Sequence, residues 1–117
     1  EAIAFEVRDV LETMVTGEGG LSSLRVDGGA SADDLLCQIQ ADQVGLPVDR
    51  PRLVETTALG AAFLAGLGTG VWDSTDDLRE TWQLDRSFTP SADRAEADAA
   101  HAQWLRAVER SKGWAED

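Results

Sequence analysis

Between Leu24 and Pro51 the chain passes through a strand, a glycine bend, a helix and a second strand, and that order restricts the fold more than any other feature. Leu24-Arg25-Val26 reads as a short strand ending at Asp27, with a turn at Gly28 and Gly29. Ser31 is a good N-cap, and Asp34, three positions on, falls beside the exposed first-turn N–H groups. The spacing predicts a helix to about Val44 with Leu35, Leu36 and Ile39 facing inward. Gly45 ends it, and Pro47 to Pro51 is a second extended stretch. A strand that returns through a helix lies parallel to its predecessor, the crossover unit of an α/β layer. Two strands do not make a stable sheet alone, so the pattern predicts a piece of a larger one.

The flanks are helical. Ile3, Val7, Val10, Leu11 and Met14 recur at helical spacing, opposite Glu6, Arg8, Asp9 and Glu12, and Gly17, Gly19 and Gly20 close this helix. The chain opens in mid-helix without Met or a cap, as expected of a stretch cut from a longer polypeptide. Thr56 or Thr57 is expected to cap a helix from Ala58 to Leu67, almost free of charge and rich in small residues. Such a helix should be buried, with Gly60 and Gly66 where another backbone comes near. Ser74 with Asp76 and Asp77 begins a short helix through Trp82. Thr89-Pro90 introduces a last one from about Asp93 to Lys112.

The length of 117 residues suits one small domain, which should bury roughly two-thirds of the surface its unfolded chain exposes. Twenty-two acids against ten bases give a net charge of −12, which excludes nucleic acid as a partner and disfavours anionic membranes. Lys112 is the only lysine beside nine arginines. That surface fits concentrated salt, where screening shortens self-repulsion, or an Arg-rich codon bias. No signal peptide opens the chain, and its longest apolar run, Ala58 to Leu67, is too short to span a bilayer, so a cytoplasmic location is expected. A single cysteine, Cys37, allows no internal disulfide, and its place in an apolar helix pattern makes it a small core residue rather than a nucleophile served by His101.

One segment carries chemical meaning: Val26-Asp27-Gly28-Gly29-Ala30-Ser31-Ala32-Asp33. Glycines without Cβ let a ligand lie against the backbone, and a helix start offers unpaired N–H groups. The bend lies beyond the carboxyl end of a strand, where α/β sheets bind ligands. Read from the residues alone, it is a nucleotide wall or merely a tight turn. Asp27 either assists a metal or caps its own turn. Trp72, Trp82, Trp104 and Trp114 sit on or beside late helices, where packing is a commoner use than sugar stacking. The acidic, alanine-rich stretch Asp93 to Ala102 is a solvated helix face or a docking face.

The runs Leu24 to Ala30, Gln38 to Asp42 with Gly45, Thr57 to Leu67, and the tail residues Phe88, Pro90, Trp104, Ala107, Val108, Arg110 and Trp114 together resemble the glycerol kinases, a branch of the FGGY carbohydrate kinases. The likeness covers essentially all of residues 1–117. It implies an α/β fold, the C-terminal portion of a ribonuclease-H-like (actin/sugar-kinase ATPase) domain, helix-rich with two short parallel strands. It also implies that this is the adenosine-binding part of that domain, with Gly28 and Gly29 as the adenosine motif, Gly29 nearest the nucleotide, and position 33 facing adenine. There the family commonly has Asn and this chain has Asp33, which accepts hydrogen bonds but does not donate them. Losing one such bond weakens ATP binding by up to roughly tenfold. Asp33 reads equally as a helix-start acid favouring the dipole.

The implied reaction passes the ATP γ-phosphoryl to glycerol, with Mg²⁺, glycerol and the catalytic base held by segments outside these residues. The stretch alone is expected to be inactive. An uncovered apolar edge predicts self-association.

Overall fold

The computed structural model describes residues 1–14 and 20–114. Five α-helices and three strands follow one another: α1 (Ala2–Met14), β1 (Leu24–Arg25), a 3-10 turn (Gly29–Ala32), α2 (Asp34–Val44), β2 (Val48–Pro51), α3 (Thr56–Thr69), α4 (Thr75–Thr81), β3 (Leu84–Phe88) and α5 (Arg94–Ser111). Of the glycines expected to close α1, Gly17 and Gly19 lie outside the described residues.

The crossover forms as the sequence implies. β1 runs parallel to β2, with Leu24 opposite Val48, and Leu24 N–H and Val26 N–H donate to Pro47 O and Asp49 O at 2.8 and 3.1 Å. Gly45, in the left-handed conformation at φ 71°, stops α2 and turns the chain into β2. The expectation of two strands is corrected by a third. β3 pairs antiparallel with β2, giving the order β1-β2-β3 and a mixed sheet. Leu84-Asp85-Arg86-Ser87-Phe88 shows little of a strand's apolar alternation, because only Phe88 turns into the core. Its partner β2 supplies what the sequence lacks. The register shifts between Arg50 and Pro51, where a proline with no N–H interrupts the ladder.

The core is small: Cys37, Ala41, Val48 and Phe88, with Leu24, Val26 and Val44 packed against it. Several expected inward faces are therefore not inward. On α1 the buried residues are Ala4, Phe5 and Arg8, whereas Ile3, Val10 and Met14 are exposed. On α2 Leu35 is exposed, Leu36 and Ile39 are half-buried, and Cys37, Gln40, Ala41 and Gln43 are buried. On α1 Phe5 is the one large apolar side chain that is buried, α2 buries mainly small and polar residues, and no described element covers Ile3, Val10, Met14 or Leu35.

The same correction applies to α3. Gly66 is its one buried residue, and Leu64 is 72% exposed. A Cβ on Gly66 would run into the Trp72 ring, which meets Phe63 edge-on at 5.4 Å, whereas a Cβ on Gly60 would meet nothing within 4 Å. Gly66 thus makes room for an indole rather than for a second backbone. Glu55 precedes α3 without a side-chain cap, and the Thr56 hydroxyl bonds Asp27 instead of the helix start.

Two later boundaries hold. Ser74 caps α4 in a reciprocal box with Asp77, and α5 begins after Asp93, whose carboxylate accepts from Ala95 N–H at 2.7 Å. Pro90 stands before that cap and outside the first turn. The Cα radius of gyration is 17.7 Å, against about 13 Å for a closely packed domain of this size.

Candidate functional site

Gly28 and Gly29 stand at the carboxyl end of β1, at the head of the 3-10 turn. Gly28 has φ 81° and ψ 168°, a region in which a side chain is strained and glycine is not. Its N–H donates to Val54 O at 2.7 Å, which ties the bend to the chain leaving β2. Its carbonyl accepts from Ser31 N–H and the Ser31 hydroxyl, at 3.0 and 2.7 Å. Ser31 is buried and belongs to the turn. It is not the N-cap of α2, since its hydroxyl faces backward to Gly28. A Cβ built on Gly28 or Gly29 would meet no atom within 4 Å, so the backbone is bare on its outer side.

Asp33 caps α2. One carboxylate oxygen, Oδ1, accepts from Leu35 N–H and Leu36 N–H at 2.9 and 3.3 Å, while Oδ2 makes no hydrogen bond among the described residues. The helix-start reading of Asp33 is therefore its structural role, and the side chain sits one short turn beyond Gly29. Asp27 ties β1 to α3 through the Thr56 hydroxyl rather than capping its own turn.

Sequence reasoning overlooked Arg50. From β2 this side chain reaches under the turn: Nη1 donates to Ser31 O, Ala32 O and Asp34 Oδ1 at 3.1, 3.4 and 2.7 Å. Its Nε and Nη2 donate to Asp85 Oδ2 at 2.9 and 2.8 Å. Arg86 from β3 donates to the other Asp34 oxygen at 2.5 Å, and both guanidiniums lie over the Phe88 ring. The Arg50 hydrogen bond holds the Asp34 carboxyl below its usual range, and the charges of Arg86 and Arg50 add to this. The signal in the sequence was faint, an arginine in an extended segment whose acidic partners, Asp34 and Asp85, lie 16 and 35 positions away.

Cys37 is fully buried, its Sγ 3.2 Å from Ser31 O, and burial pushes the thiol up from its ordinary range. His101 lies elsewhere, at the junction of α5 with α1, its Nε2 2.6 Å from Asp9 Oδ1. The pair is not assembled as nucleophile and base. Three tryptophans are used in packing: Trp72 on Phe63, Trp82 beneath Arg25, and Trp104 stacked on Phe5 with its indole N–H donating to Asp9 Oδ2 at 2.9 Å. Trp114 is 89% exposed.

Among the described residues no cluster of three or more His, Cys, Asp or Glu has the grouping of a metal site. No described helix is long and apolar enough to cross a membrane. A groove of about 460 Å³ among the described residues does not include the glycines. It runs between the ends of β1 and β2 and helices α3 and α4, walled by Leu53, Leu59, Phe63, Leu78 and Trp82. From α3 it takes Leu59 and Phe63 on the half-buried face, whereas the exposed Leu64 lies outside it.

Residues 1–69 match the family model described as the FGGY family of carbohydrate kinases, C-terminal domain. A curated glycerol kinase of Caldanaerobacter subterraneus subsp. tengcongensis is 49% identical over 100% of this chain and 24% of its own length. The chain thus spans about a quarter of the length of the curated relatives it matches. A crystal structure of Plasmodium falciparum glycerol kinase with ADP superposes with a TM-score of 0.75 at 30% identity, covering 94% of this chain and 22% of that one. A ligand-bound xylulose kinase of Lactobacillus acidophilus superposes with a TM-score of 0.78 at 19% identity, over 95% and 24% of the two chains, a likeness of fold alone. The helix-rich chain with its small mixed sheet has the fold of part of the actin-like sugar-kinase ATPase domain.

Proposed function

Because the chain belongs to the FGGY family of carbohydrate kinases, we propose that it is the C-terminal, adenosine-binding part of a glycerol kinase. The carrying observation is the bare bend at Gly28 and Gly29, open on its outer side at the carboxyl end of a parallel strand. A purine nucleoside of ATP or ADP rests there, with Gly29 closest and position 33 beside the base. The free Asp33 Oδ2 accepts the adenine amino group, while a donor to ring nitrogen is missing. This assignment extends the domain over all of residues 1–117, beyond the 1–69 that the family model matches.

The reaction transfers the ATP γ-phosphoryl to the 3-hydroxyl of glycerol, giving glycerol 3-phosphate. Such transfer needs positioned phosphates, magnesium and a carboxylate that takes the hydroxyl proton. These residues offer a wall for the nucleoside, and the reading assigns Mg²⁺, glycerol and the base to other segments of the kinase. The 117-residue chain alone is inactive on this reading. Its location is cytoplasmic, and its net charge of −12 disfavours nucleic acid and anionic membrane as partners.

Glycerol is favoured over xylulose or gluconate as the class of substrate by identity. Curated glycerol kinases reach 49–53%, while the xylulose and gluconate kinases of known structure stand at 19%. A second reading, a non-catalytic acidic interaction module, draws on the uncovered sides of α1 and α3.

Calorimetric titration of ATP into the full-length kinase carrying this segment, and into its Gly29→Arg variant, tests the proposal. The bend tolerates a Cβ at Gly29, so the variant should fold and lose affinity through occupied space. Equal affinities would overturn the nucleotide wall.

A further inference from the structure

The turn behind the glycine bend has a weakness that one side chain repairs. A 3-10 turn of four residues, Gly29–Ala32, ends with carbonyls that find no donor within the turn itself. Ser31 O and Ala32 O are such groups: both accept from Arg50 Nη1, and Ser31 O also takes the weaker Cys37 thiol donor. Arg50 is held in its own right. Its side chain is only 12% exposed, it lies on the central strand, and Asp85 on β3 accepts two of its N–H groups through one oxygen. Asp34, the first residue of α2, is gripped by Arg50 on one oxygen and by Arg86 on the other. A planar guanidinium that fixes two carbonyls and two carboxylates at once joins three elements: the turn, α2 and the β2–β3 pair.

Resting on the nucleotide reading of Gly28 and Gly29, we propose that Arg50 is a positioning residue that sets nucleotide affinity by locking the turn behind the bend to the sheet. It touches no part of a nucleoside lying on the outer side. With the lock in place, the Gly29 backbone and the Asp33 carboxylate keep the single arrangement a ligand meets. Without it the turn samples others, and the ligand bears the cost of ordering it. Arg50 also offsets Asp34, one of three acids (Asp27, Asp33 and Asp34) close to a polyanionic ligand.

The full-length kinase carrying this segment tests the idea with three variants. Arg50→Lys keeps the charge and loses the fork. Asp85→Asn loosens the anchor without touching the turn. Gly29→Arg probes the wall itself. The readouts are the calorimetric Kd for ATP, the KM for the phosphoryl acceptor, and the melting temperature without nucleotide. Arg50→Lys should raise the ATP Kd about tenfold, the effect of one or two lost hydrogen bonds, with the acceptor KM unchanged. Asp85→Asn should raise it less, about threefold by the same reasoning, and carries the test if Arg50→Lys fails to fold.

An unchanged ATP Kd beside a lowered melting temperature would make Arg50 a purely structural residue and overturn the inference. So would equal losses for ATP and acceptor. If Gly29→Arg weakens ATP and the Arg50 and Asp85 variants do not, this inference alone fails. If Gly29→Arg has no effect either, the nucleotide reading falls with it.

Discussion

At the scale of single residues, the two neighbouring glycines are not equivalent. Gly28 is held at φ 81°, ψ 168° by its bonds to Val54 and Ser31, whereas Gly29 has ordinary backbone and open space around it. Gly28→Ala should therefore cost about 1–3 kcal/mol, and Gly29→Ala should stay within about 0.5 kcal/mol, read from urea unfolding of the two variants. One oxygen of Asp33 caps α2, and on the proposed reading the other faces adenine. Asn caps a helix as well as Asp does, so Asp33→Asn should leave stability within about 0.5 kcal/mol of the parent. The amide adds a donor beside adenine, and the ATP Kd should tighten by up to roughly tenfold. An Asn variant that binds ATP no better would detach position 33 from the base.

At the scale of elements, α5 lies back across α1 in a junction of opposite charges. Arg8 bonds Glu12 and Asp98, while Asp9 accepts from Trp104 and pairs with His101. Burial raises the Asp9 carboxyl, but the hydrogen bonds from Trp104 and His101 outweigh it and hold the group below its ordinary range; Asp98 is lowered by its bond from Arg8. At the link into α5, burial likewise raises Asp42, and bonds from Ser91 N–H, Ala92 N–H and Gln38 bring it down. Carboxyls lowered by folding stabilise fully above the ordinary carboxylate pKa of about 4, and that contribution is lost as pH falls through their folded values. The junction should stay closed from neutral pH down to about pH 4 and open below it. The part of the tryptophan emission that Trp104→Phe removes should redden below about pH 4, and Asp9→Asn should shrink the transition to the part that Asp98 and Asp42 carry.

The same element shows why legibility in the sequence was uneven. Signals contained within one segment came through: the glycine bend, the Gly45 stop, the helix start at Ser74 and the extent of α5. Arg50 over Ser31, β3 against β2, and Arg8 against Asp98 depend on partners 19 to 90 positions away, which local pattern does not encode. Inward faces failed for a related reason. Periodicity says that Ile3 and Val10 share a side of α1, but it does not say which side finds a neighbour. The bend itself was legible because a bare backbone is a property of two adjacent residues.

At the scale of the molecule, the uncovered sides set solution behaviour. Leu53, Leu64 and Val71 around α3 and Ile3, Val10 and Met14 on α1 are each more than half exposed. Exposed apolar stripes of this kind recruit other surfaces. Light scattering of the 117-residue chain should give a mass above the monomer's 12.5 kDa, with Leu64→Glu and Val10→Glu lowering it; a monodisperse monomer would contradict self-association. The order in which contacts can be made has a consequence in time. The β1-α2-β2 unit joins residues close along the chain, with Leu24 beside Val48, whereas Asp9 meets Trp104 across 95 positions. Closing the longer loop costs more chain entropy, so the crossover should form first and the contact between Asp9 and Trp104 should come last. Trp104→Phe should therefore speed unfolding in stopped-flow experiments while leaving the refolding rate nearly unchanged. The indole in that junction acts as the timer of the chain's first step apart.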